Sequence, residues 1–250
     1  MSLAMVHAVE VLRRERSGSS LPVIVRATDG TEWFTKLAGS AQGVLPLVAE
    51  LIVAEIADTL GLLVPARALV TIPPAIPSVD QNDELRDLLD ASVGTNVGFA
   101  VLEQARNLTR AEYERVPLDV AASVLWLDML VQNHDRTPAN PNMMVRRGRY
   151  WLIDHGATLP VHHDWERLTE DTPRQPYAID HHLLGWAAPV LSLTHQAMRP
   201  LVTREVLEAA VRDVPDVWMA ENVADAPRRR VLYAAYLWKR LRWMDALEGA

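Results

Sequence analysis

The sequence predicts an α+β protein in two parts, a β-rich first part over residues 1–104 and a mainly helical second part over 105–250. Three observations lead there. Short β-branched runs separated by turn formers fill the start of the chain, one long helical pattern follows at 45–60, and helix formers dominate beyond residue 103 apart from a strand-like pair near 143–153.

Taken in order, 6–13 and 22–27 are β-branched runs flanking Arg16-Ser17-Gly18-Ser19-Ser20, which reads as a hairpin with a small-residue tip. Asp29-Gly30 is a second turn signal, and the alternation over 32–37 suits a third strand, so the start is an antiparallel meander. Leu47, Leu51, Ala54 and Ala57 recur at helical steps, and Gly61 closes that helix. A strand is expected at 65–72, stopped by Pro73, Pro74 and Pro77. The acidic stretch 81–92 reads as a surface excursion or short helix, and strand character returns at 99–103. Residues 118–131 form a long apolar helix, and 183–247 are helical. In the last helix Val231, Ala234, Trp238, Leu241 and Met244 are the expected buried stripe, with Lys239, Arg240 and Arg242 off it.

Composition removes several function classes. With 25 basic against 32 acidic residues the net charge is −7, which argues against nucleic-acid binding, because phosphate affinity comes from clustered Lys and Arg. At 49% hydrophobic residues the chain can build a core, which excludes disordered and fibrous classes. The absence of cysteine removes disulfides, thiol nucleophiles and Cys-containing zinc sites, and fits a reducing cytoplasm. The start of the chain lacks the pattern of a secretory signal, and the most apolar stretch, 44–70, is interrupted by Glu50, Glu55, Asp58 and Arg67. Neither export nor a membrane partner is expected.

The densest polar segment is 133–142, Asn-His-Asp-Arg-Thr-Pro-Ala-Asn-Pro-Asn, directly after the apolar helix. A second run, Tyr150-Trp151-Leu152-Ile153, leads straight into Asp154, with Gly156 two positions on. The turn Arg146-Arg147-Gly148-Arg149 makes a hairpin between them, so Asp135, Asn140 and Asp154 converge at one end of a two-stranded ribbon. Hard oxygen ligands suit Mg²⁺, which takes one or two carboxylates and fills its other positions with water and substrate phosphates. Asp135 is then left to orient or deprotonate an attacking hydroxyl.

These residues resemble the atypical kinase core of the HipA-like kinases and, more distantly, of the phosphoinositide kinases, over nearly the whole chain. The resemblance implies a bilobal protein-kinase-like fold, with a small β-rich N-lobe carrying one major helix and a larger helical C-lobe. It implies that Asp135 is catalytic with Arg136 beside it, and that Asn140, five residues on, and Asp154 of Asp154-His155-Gly156 hold metal. It also implies that Lys36 holds the nucleotide phosphates and pairs with Glu50, and that Gly18, Ser19 and Ser20 form the phosphate-covering loop. The hinge, Glu103 to Ala105, would line the adenine pocket. The implied cofactors are ATP and Mg²⁺, and the implied acceptor is a Ser/Thr hydroxyl of a protein or a small-molecule alcohol. Ser17, Ser19 and Ser20 are then candidates for self-phosphorylation, where added charge would repel nucleotide. The order His134-Asp135-Arg136 departs from the His-Arg-Asp of ordinary protein kinases, which points to the atypical group.

Two other classes compete. His134-Asp135 could belong to an HD-type metal phosphohydrolase, but the only earlier histidine is His7, in the first expected strand. A kinase-like fold could also bind nucleotide or a protein partner without turnover. The pairs His162-His163 and His181-His182 suit polar-loop or core-bonded roles better than a transition-metal site, since neighbours on a strand point to opposite faces.

Overall fold

The computed structural model describes residues 3–15, 21–220 and 225–249, so Gly18, Ser19 and Ser20 of the expected phosphate loop, and Ser17 with them, lie outside the described residues. The chain divides into two compact units: Met1–Leu47 with Pro65–Glu103, and Val48–Val64 with Gln104–Ala250.

The first unit is built on five strands, β1 (Ala4–Arg14), β2 (Val23–Ala27), β3 (Glu32–Lys36), β4 (Arg67–Ile72) and β5 (Gly94–Ala100), in the order β1-β2-β3-β5-β4. Parallel pairing of β1 with β4 closes them into a barrel, which leaves no unpaired edge. The meander of the first three strands is antiparallel, as predicted. At its second turn Gly30 takes φ +83°, and the Asp29 carboxylate accepts the Thr31 backbone N–H at 2.9 Å. Ala8 and Val11, on either side of a register shift in β1, and the alternate pairs Val23 and Val25, Val70 and Ile72 form one core with Leu85 and Leu89 of α2 (Asp83–Ala91), the short helix within the acidic stretch. Asn82 caps that helix by accepting the Leu85 N–H at 3.2 Å.

Strand β5 begins five residues before the expected 99–103, and 101–103 fall outside it. Gly94 and Asn96 are weak strand formers alone, but β4 recruits them through the register Ile72↔Gly94 to Arg67↔Phe99.

The second unit holds the body of α1 (Leu45–Thr59), the central helix α3 (Leu118–Val131) and a small sheet ordered β6 (Arg106–Asn107), β7 (Met143–Arg146) and β8 (Arg149–Leu152). The β7–β8 turn has positive φ at both central residues, Arg147 (+49°) and Gly148 (+73°), the mirror-image turn whose twist suits a hairpin. Leu152 N–H donates to Leu63 O at 2.8 Å, joining the hairpin to the segment that follows α1. Short 3₁₀ turns fill most of 157–190, and α4 (Leu191–Met198), α5 (Arg204–Arg212), α6 (Asp216–Met219) and α7 (Ala226–Met244) complete the unit. Among the described residues no helix is long and apolar enough to cross a membrane.

Helix α7 is rotated from the expected stripe. Val231 is 65% exposed, and the buried face is Tyr233, Tyr236, Leu237, Arg240, Leu241 and Met244. Arg240 belongs to that face because its guanidinium finds carbonyls inside: Nε donates to Met129 O at 2.8 Å, and Nη1 to Pro173 O at 3.0 Å and Gln175 O at 2.8 Å.

Candidate active site

The site rests on α3. Ala121 through Val131 of this helix are all buried, as expected for a central helix covered on every side, and Gln132 ends it in the left-handed region at φ +54°. One of those buried residues is charged. Asp128 lies amid Leu127, Met129 and Leu130 with no exposure, a placement that costs several kcal/mol, order of magnitude, unless every oxygen is matched.

The matching is complete. Asp128 Oδ2 accepts from Arg136 Nε at 2.5 Å and His182 Nε2 at 2.9 Å, and Oδ1 accepts from Asn133 Nδ2 at 2.9 Å. Leu184 N–H donates to His182 Nδ1 at 3.0 Å, so that nitrogen is the acceptor and Nε2 is the donor toward Asp128. Burial alone would raise the Asp128 pKa, but the Arg136 charge and the His182 hydrogen bond outweigh it and hold the carboxyl well below its ordinary range.

From this base the polar loop is folded back onto itself. Asn133, whose Nδ2 is spent on Asp128, accepts the Asp135 backbone N–H on its Oδ1 at 3.1 Å. Thr137 and Asn140 exchange backbone hydrogen bonds, both at 3.0 Å, across the Pro138-Ala139 tip. That turn brings Asn140 Nδ2 to Asp135 Oδ2 at 2.8 Å, and Asn142 Nδ2 reaches the same oxygen at 3.0 Å. Arg136 turns inward and donates from Nη1 to Asn142 O. Three carboxamides therefore fix Asp135, that of Asn133 at its backbone N–H and those of Asn140 and Asn142 at its carboxylate, and the residue remains partly exposed.

The hairpin carries Asp154 to the same end of the ribbon. Met143 pairs with Leu152, and Ile153 N–H then donates to Asn142 O at 3.1 Å, so the ladder runs into the loop and sets Asp154 one residue beyond. Asp154 is exposed and left-handed, with φ +57°, a conformation that costs a non-glycine residue about 1 kcal/mol. Asp135, Asn140 and Asp154 thus belong to one loop-and-ribbon end. Arg136, expected beside Asp135 as a catalytic group, has no exposure and bonds Asp128 and Asn142 O.

The other expected residues are carried by other elements of the chain. Lys36, 7% exposed, ends β3 in the first unit, opposite Val97. The chain just after it is pinned by two buried side chains, with Ala38 N–H donating to Asn96 Oδ1 at 2.8 Å and Gly39 N–H to Ser92 Oγ at 3.0 Å. A Cβ at Gly39 would come within 2.6 Å of the Ala91 backbone, so only glycine fits there. Glu50 is fully buried in α1 of the second unit. Glu103 is exposed at the end of the first unit, and Ala105 lies at the start of the second, after Gln104 in the left-handed region at φ +60°. Among the described residues no three His, Asp or Glu side chains gather as a metal cluster.

Sequence reasoning missed Asp128, Asn133, Asn142, Tyr177 and His182. A carboxylate in the apolar stretch that follows the first turn of α3 was the available signal for Asp128. Nothing local marks the others: Tyr177 OH donates to Asn133 O from 44 residues away, its ring stacks on His134 at 5.0 Å, and burial keeps its hydroxyl protonated far above the ordinary range.

A model of the HipA-like kinase family matches residues 8–235. No curated protein sequence matches. Among solved structures, the Helicobacter pylori proinflammatory kinase CtkA superposes with a TM-score of 0.61 at 12% identity, covering 95% of this chain and 93% of that one. The Golgi casein kinase with Mn/ADP bound gives a TM-score of 0.50 at 12% identity, covering 99% of this chain and 75% of that one. At such identities the likeness shows the fold alone, which is the protein-kinase-like α+β fold. Matched over most of its length and folded in that way, the chain belongs to the HipA-like kinase family.

Proposed function

We propose that this kinase-family chain transfers the γ-phosphoryl group of ATP, with Mg²⁺, to a hydroxyl, most directly a Ser/Thr side chain of a protein, with a small-molecule alcohol as the other acceptor class. The observation that carries the reading is the loop geometry. Asp135 is held by the amides of Asn140 and Asn142 at a partly exposed position, ready to accept or orient the proton of an acceptor hydroxyl.

The donor set also suits a hard cation. Asn140 turns its Nδ2 to Asp135, leaving the amide oxygen as the metal-facing end, and Asp154 adds an exposed carboxylate at the same ribbon end. When bound, Mg²⁺ would neutralise charge on the nucleotide's phosphates. The Golgi casein kinase, a structural neighbour, was solved with Mn/ADP bound, which supports a nucleotide and a divalent cation for this chain as well. Lys36 is assigned the phosphates, Glu50 the positioning of Lys36, and the Glu103 to Ala105 segment the adenine edge. Arg136 is assigned to the loop's support, since its guanidinium is buried.

The test is turnover of ATP with and without Mg²⁺ by the wild type and by Asp154→Ala. Loss of metal-dependent turnover in a variant that melts as the wild type does is the expected result. Undiminished turnover would overturn the assignment, and phosphate release from esters without ATP would favour the phosphohydrolase class.

A further inference from the structure

We propose that Asp128 is a positioning residue for phosphoryl transfer, placing Asp135 from beneath by two separate routes. This rests on the reading above, in which Asp135 meets the acceptor hydroxyl. One route runs from Asp128 Oδ1 through the Asn133 carboxamide to the Asp135 backbone N–H, with links of 2.9 Å and 3.1 Å. The other runs from Asp128 Oδ2 through the Arg136 guanidinium, 2.5 Å away, to Asn142 O, and the Asn142 amide then reaches Asp135 Oδ2 at 3.0 Å. Backbone and carboxylate of Asp135 are thus tied to the two oxygens of a single rigid carboxylate.

Asp128 touches no substrate, because it has no exposure. A purely stabilising role is a poor account of it, since a buried ion pair returns little more than its desolvation costs. Its partners point the same way: two belong to the loop, and the third, His182, ties in the 157–190 segment, whose Leu183 N–H donates to Arg136 O at 3.0 Å. Loop and segment share one anchor in α3. Asparagine at 128 would keep the shape but turn one acceptor into a donor facing a donor, so at least one route must break.

The test compares the wild type with Asp128→Asn and with the milder Asn133→Ala, which keeps the Arg136–Asp128 pair and cuts only the first route. For each protein kcat and the KM for ATP are measured beside the melting temperature and the hydrogen exchange of residues 133–142. In folded variants we expect kcat to fall by about 100-fold for Asp128→Asn, and by less for Asn133→Ala, because small misplacements are that costly. The KM for ATP should stay within about 3-fold, the pattern of an interaction that matters to the transition state rather than to nucleotide binding. Exchange should rise in 133–142 and not in the rest of α3.

Should Asp128→Asn fail to fold, the same split in Asn133→Ala decides. Wild-type kcat per folded molecule in Asn133→Ala, or a loss that only follows the folded fraction with unchanged loop exchange, would overturn the proposal while leaving the phosphotransferase reading intact. Absence of turnover in the wild type overturns that reading instead, and the exchange of 133–142 then decides whether Asp128 orders the loop.

Discussion

The barrel unit and the helical unit both bury polar side chains next to residues assigned to catalysis, and they do so with opposite electrostatics. In the chain just after Lys36 the barrel uses a neutral group: Asn96, fully buried, accepts from Ala38 N–H and donates to Ser92 O at 2.8 Å and Gly94 O at 3.0 Å. Beneath Asp135 the helical unit uses an ion pair with no exposure on either side. The difference follows from what each must hold. Lys36 sits on a strand whose ladder already fixes the backbone, so a neutral brace for the chain beyond it is enough. Asp135 sits on a loop with no ladder, and charged groups, whose hydrogen bonds are about twice as strong, take over that task.

Three changes probe the contrast before any pH is varied. The largest effect belongs to Asp135→Ala, which should cost about 10²–10⁴-fold in kcat, as removal of a general base does, while the melting temperature holds near that of the wild type. Next comes Arg136→Met. It leaves Asp128 buried with its charge uncompensated, and urea unfolding should show about 3–5 kcal/mol of lost stability. Asn96→Ala, the neutral counterpart, should cost about 1–3 kcal/mol in the same titration, as expected for unsatisfied but uncharged partners. Equal losses at the two positions would break the comparison, because the charge would then carry no special weight.

The same contrast explains how much could be read from the sequence. Strands β1 to β4, α1 and α3 were legible because burial imposes a period on the residues themselves, and the hairpin turn was legible because Arg147-Gly148 must reach positive φ. That turn is also what leads β8 back to the polar loop, where Ile153 N–H bonds Asn142 O. What could not be read was long-range: His182 meets Asp128 across 54 positions and Tyr236 donates to Gln132 across 104, and no local pattern encodes either. Helix α7 shows the same limit at the level of a face. Its stripe was chosen by apolarity, yet Arg240 is inside and Val231 outside, because the carbonyls of Met129, Pro173 and Gln175 await a donor there. The family resemblance supplied roles for residues, and the burial of Arg136 against Asp128 and Asn142 was not legible beside them.

A smaller effect, and one that separates neutral from charged burial in a single unit, is expected from pH. His162 is 3% exposed, its Nδ1 lies 3.2 Å from the Tyr233 hydroxyl, and its ring meets His163 edge to face at 4.5 Å. Burial, with a lesser push from His163, lowers its pKa to about 3, so the folded protein keeps the ring neutral where the unfolded chain protonates it near 6.5. A depressed folded pKa contributes stability that is fully present above about 6.5 and is lost as the pH falls toward the folded value, because only the unfolded state gains the proton. Between pH 7 and pH 5 this one ring should cost the wild type about 2 kcal/mol. Asp128 behaves differently: its carboxylate is held charged, so its contribution persists through that window and fails only at lower pH. His162→Gln keeps a hydrogen-bonding group toward Tyr233 but removes the titration. Urea unfolding at pH 7, 6 and 5 should therefore show the variant losing less stability on acidification than the wild type by about that amount. Parallel losses in the two proteins would mean that the folded state protonates His162 freely, and that this region is held less tightly than the core beneath Asp135.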